Sequence, residues 1–137
     1  AEHVVTELTG RFYHDRDPLD AIALTANSSL TTAVANDYGY AEVFARQVAA
    51  HGRRGDVLLL FTTSGKSENV LRAADVGGER GLYTVAFTGA KGAAFAGRCD
   101  LGLVVPATES ARIQEAHITL GHVLCRAVEV RLFGEGA

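Results

Sequence analysis

The stretch that most constrains this chain is 55–70, GDVLLLFTTSGKSENV. Val57 to Phe61 is a short, nearly continuous apolar run. Such a run suits a strand of a parallel sheet, where helices cover both faces and neither side needs polar residues. Thr62-Thr63-Ser64-Gly65-Lys66-Ser67 comes next, with four hydroxyls in six residues. After it, Val70, Leu71, Ala74 and Val76 recur at helical spacing. Strand, hydroxyl-rich turn and helix N-terminus together can build an anion site. The free N–H groups of the first helical turn and the hydroxyls donate toward one point, and the helix dipole favours negative charge there. A phosphate ester fits this turn better than a whole nucleotide, because neither a dinucleotide fingerprint nor a P-loop is present. The competing reading is that Ser64 or Ser67 only caps the helix.

The rest of the chain supports one α/β domain. Its 137 residues suffice for a real core. Apolar residues make up 47%, and 15 glycines allow many tight connections. The net charge of −3 implies no broad basic face, so nucleic acid is not expected as a direct ligand. Cys99 and Cys125 stand far apart, which suggests neither a disulfide framework nor a thiolate zinc site and makes a reducing cytoplasm the default location. No apolar run is long enough for a membrane span, and no signal peptide opens the chain. It begins at Ala1 rather than Met, and so reads as N-terminally incomplete.

Taken in order, Ala1–Gly10 reads as a helix end closed by Gly10. His3 and Glu7 are four apart and share a face of that helix. The spacing suits two ligands of one metal or a base beside its partner, but by itself it favours an ordinary i,i+4 surface pair. Arg11–Asp20 is a polar loop, and Ala21–Thr25 is predicted as a short strand. Asn27-Ser28-Ser29 offers a cap for a helix over Leu30–Val34, which Asn36 to Tyr40 is expected to break. Ala41–His51 has helical spacing. Leu82–Thr88 and Asp100–Pro106 are two further strands. Ser110–Phe133 is a long helix, with Ile113, His117, Leu120, Leu124 and Ala127-Val128 as its apolar stripe. His117 lies in that stripe and reads as a packed core histidine. Gln114 and His122, eight apart, can share one flank. Alternating strands and helices predict a parallel sheet with helices on both faces.

Four segments carry a resemblance: AEHVVTELTGRF, AVANDYG, GDVLLLFTTSGKSENV and ARIQEAHITLGHV. In sequence and order they resemble the sugar isomerase (SIS) domain, and more closely its phosphoheptose isomerase branch. The resemblance implies a SIS-type three-layer sandwich, similar to flavodoxin or Rossmann folds, with a five-stranded parallel sheet. It makes 1–137 a single SIS domain lacking the family's first strand and its glycine-rich turn before His3. It also implies a homotetramer with sites at subunit interfaces. Position by position, Thr62, Thr63, Ser64 and Ser67 would hold the sugar phosphate, and Asn36 and Asp37 would touch the sugar. His3, Glu7, Gln114 and His122 would surround one zinc ion per subunit, with Gln114 also at the substrate. Glu7 and His122 would be the acid–base pair. The chain departs from the pattern at Ala111, where the branch often has Asp, and at Lys66, which replaces Asn.

The activity implied is aldose–ketose isomerisation of sedoheptulose 7-phosphate to D-glycero-D-manno-heptose 7-phosphate through an enediol. Two rivals share the fold. One is a non-catalytic SIS adaptor that binds the bacterial replication initiator, which the Ser110–Gln114 stretch resembles. The other is a phosphosugar-sensing regulatory domain. The adaptor branch lacks counterparts of Glu7 and His122 and the sensor needs neither, so their presence favours the enzyme.

Overall fold

The computed structural model describes residues 1–134. Its helices are α1 (Glu2–Thr9), α2 (Ser28–Tyr38), α3 (Ala45–His51), α4 (Glu68–Glu79), α5 (Ala93–Ala96) and α6 (Ser110–Phe133). Its strands are β1 (Val57–Phe61), β2 (Tyr83–Gly89) and β3 (Leu101–Val105). They form one parallel sheet in the order β1-β2-β3, with Phe61 opposite Phe87 and Phe87 opposite Leu103. Among the described residues the sheet therefore has three strands.

Successive strand residues point to opposite faces. Leu60 and Ala86 join Val48 of α3, Ala73 of α4 and Phe95 and Ala96 of α5 in one buried cluster. On the other face Phe61 stacks on Phe87 at 4.5 Å, and the His117 ring of α6 lies 6.0 Å and 6.1 Å from the two. Helices thus cover both faces, as the alternating pattern requires. The second face is covered only in part. Val57, Tyr83 and Leu101 lie on it and stay exposed at the strand starts.

Three expectations are corrected. Ala21–Thr25 is not a strand; it passes through a turn in which the Ala26 N–H donates to the Ala23 carbonyl. Instead of a sheet neighbour, the Leu24 carbonyl takes a hydrogen bond from the Gln47 side chain at 2.9 Å, which ties the segment to α3. Asn36-Asp37 does not break its helix. The Asn36 amide donates to the Asp37 carboxylate at 2.9 Å, which occupies both polar groups within the last turn. α2 stops only at Gly39, whose φ of 91° continues no helix. The expected helix over Ala41–His51 is split into a 3-10 turn at Tyr40–Glu42 and α3.

The long helix has the expected bounds, but its buried row is Ile113, His117, Gly121, Cys125 and Glu129. Leu120, Leu124 and Val128 are only half-buried, and Ala127 is exposed. α1 sets this shift. A Cβ on Gly121 would stand 2.9 Å from Val4, so the absent side chain lets α1 approach closely.

His117 is buried, as its place in the stripe implies, and its Nε2 has no partner among the described residues. Burial lowers its pKa below the ordinary imidazole value, and a hydrogen bond with the Thr88 backbone offsets this only in part. An imidazole held neutral in the fold binds its proton better when unfolded, so stability falls as pH drops below about 6.5. The melting temperature is expected to decline from pH 7 to pH 5. The slope should flatten in His117→Asn; an unchanged slope would remove His117 as its source.

Candidate active site

The hydroxyl turn lies where β1 hands over to α4, at the carboxyl edge of the sheet. In open α/β sheets ligands bind along this edge. Gly65 adopts φ 66°, and a Cβ there would stand 2.5 Å from the Gly92 backbone, so only glycine lets the turn close against the β2–α5 connection. Ser67 is the N-cap of α4 by position, yet its side chain caps nothing. Its hydroxyl instead lies 3.2 Å from the hydroxyl of Thr62. Thr62 Oγ1 also accepts the Gly65 N–H at 3.2 Å, and Ser64 Oγ accepts the Lys66 N–H at 3.2 Å. The turn itself thus brings the Thr62 and Ser67 hydroxyls together and holds that of Ser64. Plain helix capping does not explain them.

The second cluster joins the two ends of the chain. His3 Nε2 lies 2.9 Å from His122 Nε2 and 3.2 Å from Glu7 Oε1. One donor atom from each of the three residues lies within 4.8 Å of the other two. Two ligands of a tetrahedral zinc, each about 2.0–2.1 Å from the metal, stand roughly 3.3 Å apart. His3 stands near that separation from both its partners, and with no thiolate the trio can hold a divalent metal with an open position. The helical i,i+4 spacing brings His3 to Glu7, and the close contact of α1 with α6 at Gly121 brings His122 to both.

The other candidates lie apart from this trio. Gln114 is exposed, eight residues or about 12 Å along α6 from His122, and does not enter the trio's hydrogen bonds. Asn36 and Asp37 lie on the outer side of α2, where Ser28, Ser29, Thr32 and Ala33 complete a shallow hollow. Sequence reading missed Phe12. Its ring stacks on the His122 imidazole with centroids 5.6 Å apart and 27° between planes, and so limits how that imidazole can turn. Phe12 closes the segment AEHVVTELTGRF, which was the available signal.

The SIS domain profile matches residues 1–89, which includes α1 and the hydroxyl turn. A phosphoheptose isomerase of Rhodospirillum rubrum is 50% identical over 94% of this chain and 69% of its own length. Phosphoheptose isomerase 2 of Campylobacter jejuni is 46% identical over 99% of this chain and 68% of its own. The chain belongs to the phosphoheptose isomerases of the SIS-domain family. The solved phosphoheptose isomerase of Francisella tularensis superposes with a TM-score of 0.87 at 42% identity, covering 92% of this chain and 68% of that one. The enzyme from Neisseria gonorrhoeae gives the same score and identity over 94% of this chain. The Campylobacter phosphoheptose isomerase match spans nearly the whole chain, so it takes in both α1 and α6.

Proposed function

We propose that this phosphoheptose isomerase converts sedoheptulose 7-phosphate to D-glycero-D-manno-heptose 7-phosphate. The observation that carries the reading is the meeting of His3, Glu7 and His122 across α1 and α6. An isomerase must take a proton from the carbon beside the carbonyl, return it to the neighbouring carbon, and move protons between the two oxygens. Glu7 has the chemistry for the carbon proton, and the His122 imidazole for the oxygen protons. The adaptor and sensor readings leave this carboxylate–imidazole meeting without a use. Turnover of sedoheptulose 7-phosphate by the full-length protein tests the proposal; its absence would overturn it.

His3, Glu7 and His122 would hold zinc, with Gln114 as a weaker oxygen donor in the assembled protein. Zinc bound there would polarise the substrate carbonyl. Metal binding and proton transfer compete for the same atoms. A carboxylate on zinc is a poorer base, and a ligated imidazole nitrogen carries no proton.

Thr62, Thr63, Ser64 and Ser67 would bind the phosphate, with Lys66 adding positive charge nearby. Asn36 and Asp37 would contact the sugar. Ser67→Ala is expected to weaken phosphosugar binding by about 1 kcal/mol or more. Unchanged calorimetric affinity in both Ser64→Ala and Ser67→Ala would remove the turn from the site.

The active form would be a homo-oligomer, in our reading a tetramer. Val57, Tyr83 and Leu101 on the sheet, and Ile118, Val123 and Leu132 on α6, are large apolar side chains left in water. A helix apolar on more than one side usually has more than one neighbour. Light scattering of the full-length protein at micromolar concentration should show no monomer peak; monomer alone would contradict the assembly. No described helix is long and apolar enough to cross a membrane, and two free cysteines suit a cytoplasmic location.

A further inference from the structure

α1 has only eight residues, too few to hold its place by helical propensity. Its C-terminal turn is tied to α6 by a buried ion pair. The side chains of Arg16 and Glu129 are 2% and 1% exposed, and Arg16 Nε donates to Glu129 Oε1 at 3.3 Å. The remaining guanidinium nitrogens reach α1, and Nη1 also donates to the Asp17 carbonyl at 3.0 Å. Nη2 donates to the Glu7 carbonyl at 2.8 Å, and Nη1 to the Leu8 carbonyl at 2.9 Å. These are carbonyls of the last helical turn, which have no partner within the helix. Glu129 also accepts the His14 N–H at 3.2 Å on that same Oε1 and the Tyr13 N–H at 3.1 Å on Oε2. Glu129 follows His122 by seven residues, two turns further along the same face of α6. One carboxylate on the helix of His122 thus anchors, through one guanidinium, the backbone of the residue that carries the Glu7 side chain.

Burial alone disfavours such a pair, since apolar residues of similar volume are often as stable or more so. A pair kept for geometry is the alternative, and its bonds end on the Glu7 backbone. We propose that Arg16 and Glu129 form a positioning pair that sets His3 and Glu7 against His122. The inference rests on the reading of that trio as the reacting and metal-holding site. Its consequences are local. The phosphate turn is carried by β1 and α4, which the pair does not touch, so substrate binding and turnover separate.

Arg16→Lys keeps the charge but cannot span both carbonyls and the carboxylate. Glu129→Gln keeps the shape but loses the charge. In the full-length protein, well below each variant's melting temperature, both are expected to lower kcat about tenfold or more. KM should stay within roughly threefold, since it reports binding at the untouched turn. The zinc Kd, read by competition with a chelator of known affinity, should rise about tenfold or more. Folded variants with kcat and zinc Kd close to the parent would overturn the inference, as would a rise in KM with kcat unchanged. If Glu129→Gln does not fold, Arg16→Lys decides alone; if neither folds, the pair is structural and the inference falls. Glu7→Gln is measured beside them. Should it keep parental turnover, the reading of the trio fails and this inference with it. Should it be inactive while both pair variants match the parent, only the inference fails.

Discussion

Glu7→Gln is expected to abolish turnover, by at least about 10²–10⁴-fold, the usual worth of a positioned general base. The substitution is nearly isosteric, but an amide cannot accept the carbon proton. Little else should change. The Glu7 side chain is half-buried, and among the described residues its one contact at ion-pair distance is His3 at 3.2 Å. The backbone carbonyl of Glu7, which receives Arg16, is untouched by the exchange. The melting temperature should therefore move by no more than about 4 °C, and calorimetric binding of the phosphosugar should persist. Near-normal turnover would show that Glu7 is not the base.

His122→Ala is expected to lose most activity, about 10²-fold or more, together with the bound zinc. The imidazole is one of three donor groups meeting at one point, so its removal leaves His3 and Glu7 as a two-ligand remnant. The alternative is that His122 is a core histidine whose loss costs stability and not chemistry. His122 and His117 on the same helix show the contrast. His117 is packed on Phe61 and Phe87, is buried, and has an imidazole with a lowered pKa. His122 is only half-buried and faces two other ligand-type side chains. Catalytic rate measured beside melting temperature separates the two cases. A large loss of rate with a small thermal shift supports the site; a large thermal shift with normal rate would assign His122 to the core.

Much of this was legible in the residues, for reasons that differ between elements. The run Val57–Phe61 was readable as a strand because a hydroxyl-rich turn and a helical pattern follow it directly, as in a strand–turn–helix unit. α6 was readable over its whole length, since twenty-four residues of helical pattern outweigh end effects. Glu7 and His3 could be paired because the i,i+4 relation is a property of one helix. Ala21–Thr25 misled, because a short apolar run has no periodicity with which to separate a strand from a packed loop. Asn36-Asp37 misled because the two side chains satisfy each other inside the helix rather than turning the backbone.

The local chain by itself determined the strand–turn–helix unit with its hydroxyls and the pairing of His3 with Glu7. Each depends on neighbours within a few residues, where backbone geometry fixes distance. The family resemblance implied that His122 joins His3, but no local geometry could; the tertiary structure brings them together, across 119 residues of sequence, at 2.9 Å. It alone decided that a glutamate, Glu129, would be fully buried on the apolar row of α6. Hydropathy places a carboxylate in water. Here the N–H groups of Tyr13 and His14 and the guanidinium of Arg16 replace that water, and those donors come from the other end of the chain.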